Sequence, residues 1–214
     1  MTLAAIASAA AAERLTIHGH AALTPEDGLP ARLRTILLLG PDEPAFWPHF
    51  QQSPEAQDGA ESPLDRWSRR VIGRIACAHD AKAYFPFGGP PYRPFINWAL
   101  RTGRVHQSPV SLLIHPDTGL FFSLRGAVAI AEALPADPAP SPCATCAGRP
   151  CLTACPAQAL TAQGYDVPAC HSFLDTPSGS DCMGQGCAVR RACPVGSDRR
   201  LPAQSAFHMK AFHP

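Results

Sequence analysis

Charge is scarce in this sequence. Only 16% of its 214 residues are charged, and the formal net charge is +1. Such a chain has no basic field to draw it onto phosphate backbones, so nucleic acid is not an expected partner. Long hydrophobic runs are missing as well. No apolar stretch reaches the length that crosses a bilayer, and the alanine-rich LAAIASAAAA at positions 3–12 lacks the basic flank of a secretory signal. The expectation is a cytoplasmic protein without a membrane span. A 46% share of apolar side chains argues against disorder and suffices for a core in one or two domains. Cysteine, finally, is nearly absent from the first 133 residues, where Cys77 stands alone, whereas eight cysteines follow between positions 143 and 193. In a reducing compartment, clustered thiols read as metal ligands or redox groups before they read as disulfides.

The change in cysteine content falls at LPADPAPSP, residues 134–142, whose four prolines can continue neither a helix nor a central strand. The chain is therefore divided into a first domain at 1–133, a linker at 134–142, a cysteine-rich domain at 143–200 and a tail at 201–214. In the first domain LAAIASAAAAER has strong helix propensity. RLTIHGHA alternates as a strand does, and RTILLLG is a buried-strand run closed by Gly40-Pro41 and expected to neighbour it. Leu64, Trp67, Val71, Ile75 and Ala78 recur at helical spacing, with Arg66, Arg69, Arg70 and Arg74 mostly opposite. Cys77, flanked by alanines, is read as a core residue of that helix. A second helix begins near Pro94, repeats Phe95 and Trp98 or Ala99 on one face and stops at Gly103. VSLLIHPDTGLFFSLRGAV reads as a β-hairpin turning at His115–Gly119. The expected class is α+β, a mainly antiparallel sheet covered by helices.

The cysteines carry the sharper signal. Cys143, Cys146, Cys151 and Cys155-Pro156 are spaced C-x2-C-x4-C-x3-C-P, two residues longer than the bacterial ferredoxin run. Cys170, Cys182, Cys187 and Cys193-Pro194 form a second set that also ends in proline. Four and four make two 4Fe-4S clusters. In two-cluster ferredoxins the cysteine before proline serves the other cluster. That rule assigns Cys143, Cys146, Cys151 and Cys193 to one cluster and Cys155, Cys170, Cys182 and Cys187 to the other. A four-thiolate zinc knuckle is the rival, but it leaves both Cys-Pro steps and four thiols unexplained. His171 stands beside Cys170 as an alternative ligand, and the spacing also admits a larger or single-cluster variant.

The cysteine half, CATCAGRPCLTACPAQAL, YDVPACHSFLD and GCAVRRACPVG, resembles the ferredoxin-like module of epoxyqueuosine reductases and reductive dehalogenases. SLLIHPDTGLFFSLRGAVAI is similar to the hairpin of the CblC-type cobalamin-processing proteins, and PPYRPFINWALRTGRV to the helix before it. The resemblance implies a nitroreductase-like, CblC-type cobalamin-binding domain followed by a small ferredoxin-like domain with two 4Fe-4S clusters. It also implies a cobalamin, or another corrinoid, bound base-off. The sequence accordingly has no D-x-H-x-x-G motif.

Corrinoid contacts are expected from Phe87, Gly88 and Gly89, where glycines permit close backbone approach, and from Arg125 at the position matching the CblC-type Arg-Gly, with His115 at the turn. The alternatives are an ordinary turn at 87–91, a solvated strand end at Arg125 and a simple turn residue at His115. Arg190 and Arg191, between two cluster ligands, would raise a cluster's potential or face solvent. The functional expectation is a cobalamin reductase or cobalamin-dependent reductase fed by an electron donor through its clusters. An electron carrier without corrinoid and a flavin enzyme on the same fold are the other readings.

Overall fold

The computed structural model describes residues 3–214 and is mixed α+β, with small antiparallel sheets and several helices. The chain forms two compact units, one of residues up to Val105 together with Ser123–Ala139, the other of His106–Phe122 together with Pro140–Pro214. This partition differs from a simple cut at 133, because a stretch inside the expected first domain belongs with the cysteines.

The first unit opens with helix α1 (Leu3–Ala12), which Arg14 ends at a φ of 53°, and strand β1 (Leu15–Ala22). Strand β2 (Thr35–Pro41) is buried at all seven positions and pairs with β1 antiparallel, as expected for neighbouring strands. A continuous apolar strand of this kind is one covered on both faces. Each fully buried leucine or isoleucine among Ile36–Leu39 contributes about 2 kcal/mol relative to exposure. A bulge between Ile17 and Gly19 turns His18 inward. Gly40 is required beside it, since a Cβ there would stand 2.2 Å from the Ser123 carbonyl oxygen and 2.5 Å from the His18 ring.

Two short helices follow, α2 (Phe46–Gln51) and α3 (Pro54–Gln57), then the long amphipathic α4 (Pro63–Ala78). Leu64, Trp67, Val71 and Ile75 are buried, and Arg69, Arg70 and Arg74 lie outside, as the periodicity requires. Cys77 and Ala78 are exposed, which corrects their expected place in the core. The inward stripe at this end runs through Val71, Ile72, Ile75 and Ala76. One further residue rotates Cys77 by 100°, onto the side carrying Arg70 and Arg74.

Strand β3 (Lys82–Tyr84) and helix α5 (Phe95–Arg101) come next, with Phe95, Trp98 and Ala99 buried and Gly103 left-handed just past the end. The chain then enters the second unit with β4 (His106–Gln107) and β5 (Leu113–Ile114), and returns to the first with β6 (Gly126–Ile130). The main sheet has the order β1-β2-β6-β3, antiparallel throughout; α4 packs on β6 and β3, and α5 on β1 and β2.

The single hairpin expected over 110–128 is therefore split. β5 pairs with β4, the His115–Gly119 turn is closed by backbone hydrogen bonds in both directions, and β6 pairs with β2. Tertiary pairing with a buried strand outweighs the local turn. The proline-rich segment is irregular, as its composition requires, yet tied along the first unit. His20 Nε2 lies 2.7 Å from the Pro135 carbonyl, Arg104 pairs with Asp137 at 3.0 Å, and the Ala139 amide donates to the Gly103 carbonyl at 3.0 Å.

The second unit has little regular structure. After two short 3-10 turns it forms the hairpin β7 (Leu160–Thr161) and β8 (Gly164–Tyr165), then α6 (Val167–Leu174), α7 (Ser180–Gln185), α8 (Ala188–Arg191) and α9 (Pro202–Phe212). The expected tail is thus a helix, started by Pro202 in its first turn and packed on α7 through buried Gln204 and Ser205.

Candidate functional site

The first cysteine quartet is built from short turns. The Ser141 hydroxyl accepts the Cys143 amide at 3.3 Å and sets the turn that presents Cys143 and Cys146. Arg149, left-handed at a φ of 37°, leads into the turn that buries Cys151. Cys193 arrives from the far end of the unit. All four line a cavity of about 170 Å³, together with Ile114, Leu120 and Val195. Burial pushes the Cys143 thiol pKa up, opposed by Ser141 and reinforced by Cys193 and Cys146. Burial does the same at Cys151, reinforced by Cys143, Cys193 and Cys146. The four sulfurs are thus mutual electrostatic neighbours.

The His115–Gly119 turn packs against the segment from Cys193 to Gly196. A Cβ on Gly119 would fall 1.9 Å from the Val195 carbonyl oxygen and 3.2 Å from Cys193 Sγ, and one on Gly196 would fall 2.7 Å from the Thr118 backbone. Both glycines also have left-handed φ values, so the contact tolerates no side chain on either partner. His115 itself is buried, accepts the Asp117 amide on Nδ1 at 3.2 Å and stacks on Phe122 at 5.8 Å.

The second quartet is Cys155, Cys170 on α6, Cys182 on α7 and Cys187 before α8. Burial raises the Cys170 pKa, a hydrogen bond from Tyr165 opposes this, and Cys187, Cys155 and Cys182 add to the rise. Cys182 is raised by burial, opposed by the Ala188 amide and reinforced by Cys187. Tyr165 keeps part of its ring in solvent, but its phenol pKa is raised by burial and by Cys170, so the hydroxyl stays protonated and donates to that sulfur. Cys193 thus lies with the first run of cysteines and Cys155 with the second set. Among the described residues, no group of three or more His, Cys, Asp or Glu is gathered tightly enough to hold a metal ion.

The remaining expected site residues lie in the first unit. Phe87 and Arg125 are brought together. The Arg125 guanidinium lies 5.5 Å from the Phe87 ring centroid, donates from Nε to Ser68 Oγ at 3.1 Å and forms an ion pair with Asp65. With a side chain 12% exposed it is no solvated strand end. Burial pushes its pKa down against the pull of Asp65. Arg69 covers the same ring at 5.3 Å. Gly88 and Gly89 both have positive φ; a Cβ at Gly88 would meet Arg69 at 2.4 Å, whereas one at Gly89 would meet nothing. His115 belongs to the second unit. Sequence reasoning missed Tyr165, Ser141 and the Gly119–Val195 contact; only Tyr165, five residues before Cys170, left a local trace. A scan against protein-family models finds no match to this chain, and a search of curated proteins finds none either.

Proposed function

We propose that the second unit is a ferredoxin-like domain holding two 4Fe-4S clusters, and that the chain passes single electrons through them to a cobalamin bound base-off by a nitroreductase-like, CblC-type first unit. Cys143, Cys146, Cys151 and Cys193 would hold one cluster; Cys155, Cys170, Cys182 and Cys187 would hold the other. The observation that carries this reading is the division of eight thiols into two fours, each drawn from both parts of the cysteine run. The residues fit the group. Thiolates are the soft ligands that iron–sulfur clusters take. When bound, such clusters supply reversible one-electron storage at potentials set by net charge, hydrogen bonds to sulfur and solvent exposure.

The chain's own residues have separable tasks. Ser141 orders the loop that presents Cys143. Ile114, Leu120 and Val195 give the first quartet an apolar wall, and the Tyr165 hydroxyl donates to Cys170. In the first unit Phe87, held between Arg69 and Arg125, offers a rigid aromatic rim, and the open backbone at Gly89 admits close approach of a flat macrocycle. His115 is withdrawn from this role by its burial in the turn. The corrinoid rests on the resemblance of residues 111–130 and 90–105 to CblC-type proteins.

Anaerobic reconstitution tests the reading. Iron and acid-labile sulfide are each expected at about eight per chain; a value near four removes one cluster. Hydroxocobalamin added to that protein should show a base-off absorption shift. No shift leaves an electron carrier, and a bound yellow flavin would replace the corrinoid. Cys193→Ala should lose one cluster and slow cobalamin reduction while leaving cobalamin affinity nearly unchanged.

A further inference from the structure

Apart from its four cysteines, the first quartet's cavity is lined mostly by hydrocarbon and proline. Ser108 is the exception. It lines the same cavity and is 6% exposed, and among the described residues its buried Oγ has no hydrogen-bond partner. The other polar side chains on that wall are placed differently. The Thr145 hydroxyl donates to the Pro142 carbonyl at 3.5 Å, and Arg149 is exposed. The backbone that carries Ser108 is fully used. His106 and Gln107 pair with Ile114 and Leu113, the Ser108 amide donates to the Leu112 carbonyl at 2.8 Å, and its carbonyl accepts the Ser111 amide at 2.9 Å. Val110, in the turn that follows, is buried in one core with Ile114, Leu120, Cys151 and Cys193. The hairpin is thus pinned along its strands and in its turn, and its serine is held against the cavity. A buried hydroxyl without a partner is costly, and native structures keep few of them without a reason. The soft acceptors that share this cavity are the sulfurs of Cys143, Cys146, Cys151 and Cys193.

We propose that the Ser108 hydroxyl donates a hydrogen bond to the cluster held by Cys143, Cys146, Cys151 and Cys193, and raises that cluster's reduction potential. This deepens the two-cluster reading and rests on it. Reduction adds negative charge that the sulfurs share, so a donor aimed at them stabilises the reduced state more than the oxidised one. One electron enters the cluster from an external reductant, no covalent bond forms or breaks, and the serine keeps its proton. The stretch 106–122, which joins the cysteine unit although it interrupts the sheet unit in sequence, then has a task. Its β4–β5 hairpin supplies the donor.

The test is a dithionite titration of the reconstituted full chain, followed by electron paramagnetic resonance, on the wild type and its variants. Two midpoints are expected in the wild type. Ser108→Ala should keep both clusters and lower one midpoint by about threefold in its equilibrium constant, ~28 mV for one electron. Ser108→Thr, which keeps the hydroxyl, should restore most of the shift. The midpoint that moves should be the one that Cys193→Ala loses. In D2O, the pulsed resonance signal of that cluster should lose an exchangeable deuteron coupling in Ser108→Ala. Two assembled clusters with both midpoints unmoved in Ser108→Ala, or a shift confined to the midpoint that Cys193→Ala retains, overturn the proposal and leave the two-cluster reading intact. If Ser108→Ala assembles only one cluster, the comparison of Ser108→Thr with Ser108→Val, nearly equal in size and differing in the hydroxyl, decides, and equal midpoints there overturn the proposal. A wild type without clusters overturns both.

Discussion

The two units bury different things. In the first, the core is a strand and helix core of ordinary kind: Ile36–Leu39 and Ala127–Ile130 inside the sheet, Trp67, Val71 and Ile72 of α4 and Trp98 of α5. In the second, strands are two residues long, two of the four helices span fewer than two turns, and the buried cluster of Val110, Ile114, Leu120, Leu160 and Val189 is completed by Cys151 and Cys193. Helices and hairpins this short are marginal alone. Under the proposed reading Cys151 and Cys193 would be cluster ligands, and the second unit would owe its fold to what they hold, whereas the sheet unit owes its fold to hydrocarbon. Iron removal should break the comparison most. Chelation is expected to collapse amide protection across 143–200 while β2 and β6 keep theirs, read by hydrogen exchange. Equal protection in both units of the iron-free protein would show that the second unit folds without its ligand.

The converse perturbation belongs to α4. Trp67 is buried at the centre of an aromatic group, 5.3 Å from Phe46 and 6.1 Å from Phe50 by ring centroids. Trp67→Ala should cost the first unit about 3–5 kcal/mol in denaturant unfolding. Iron content per folded chain should stay unchanged, and a parallel loss of iron would mean that the two units do not stand independently.

A smaller effect sits at Asp27, whose side chain is 3% exposed. Burial alone would raise its pKa. Hydrogen bonds from Arg101, the Thr24 amide and Trp98 Nε1 outweigh that and hold it at about 2, against 3.8 for the free group. The folded value is the depressed one, so the stabilisation is complete above the unfolded pKa and is lost as pH falls through about 4 towards 2. It amounts to roughly 2 kcal/mol, at 1.36 kcal/mol per unit. Asp27→Asn should be less stable than the wild type at pH 7, and the difference should shrink on acidification; a constant difference would remove the ion pair from the account.

Legibility in the sequence followed how local each signal is. The stripe of α4 and the apolar run of β2 declare themselves within a dozen residues, and so does the spacing of four cysteines. The proposed exchange of Cys155 and Cys193 between quartets is long-range, and only the ferredoxin precedent suggests it. The 110–128 segment misled because two apolar runs flank a good turn, while the partner that claims β6 lies far away at β2. Helix α9 left no amphipathic signal, since what it buries is Gln204 and Ser205. Tyr165 meets Cys170 only through the folding of a separate turn, which residue spacing alone does not encode.

Cys77 gives the finest test, because it is the one cysteine of the first unit and the only one exposed. Its flanking alanines suggested burial, but helical angle decides, and that angle puts it beside Arg74 on the outer side of α4. An exposed side chain on a helix surface fills no cavity, so Cys77→Ser should change stability by less than about 0.5 kcal/mol. Iron and sulfide content should be that of the wild type. The contrast between units then becomes a contrast between thiols. In the folded, iron-loaded protein a thiol reagent should modify Cys77 alone, and Cys77→Ser should abolish that labelling. After chelation, the eight cysteines of the second unit should become reactive together. Slow labelling of Cys77 in the native protein would return it to the core, and rapid labelling of any quartet member with iron in place would remove that residue from its ligand set.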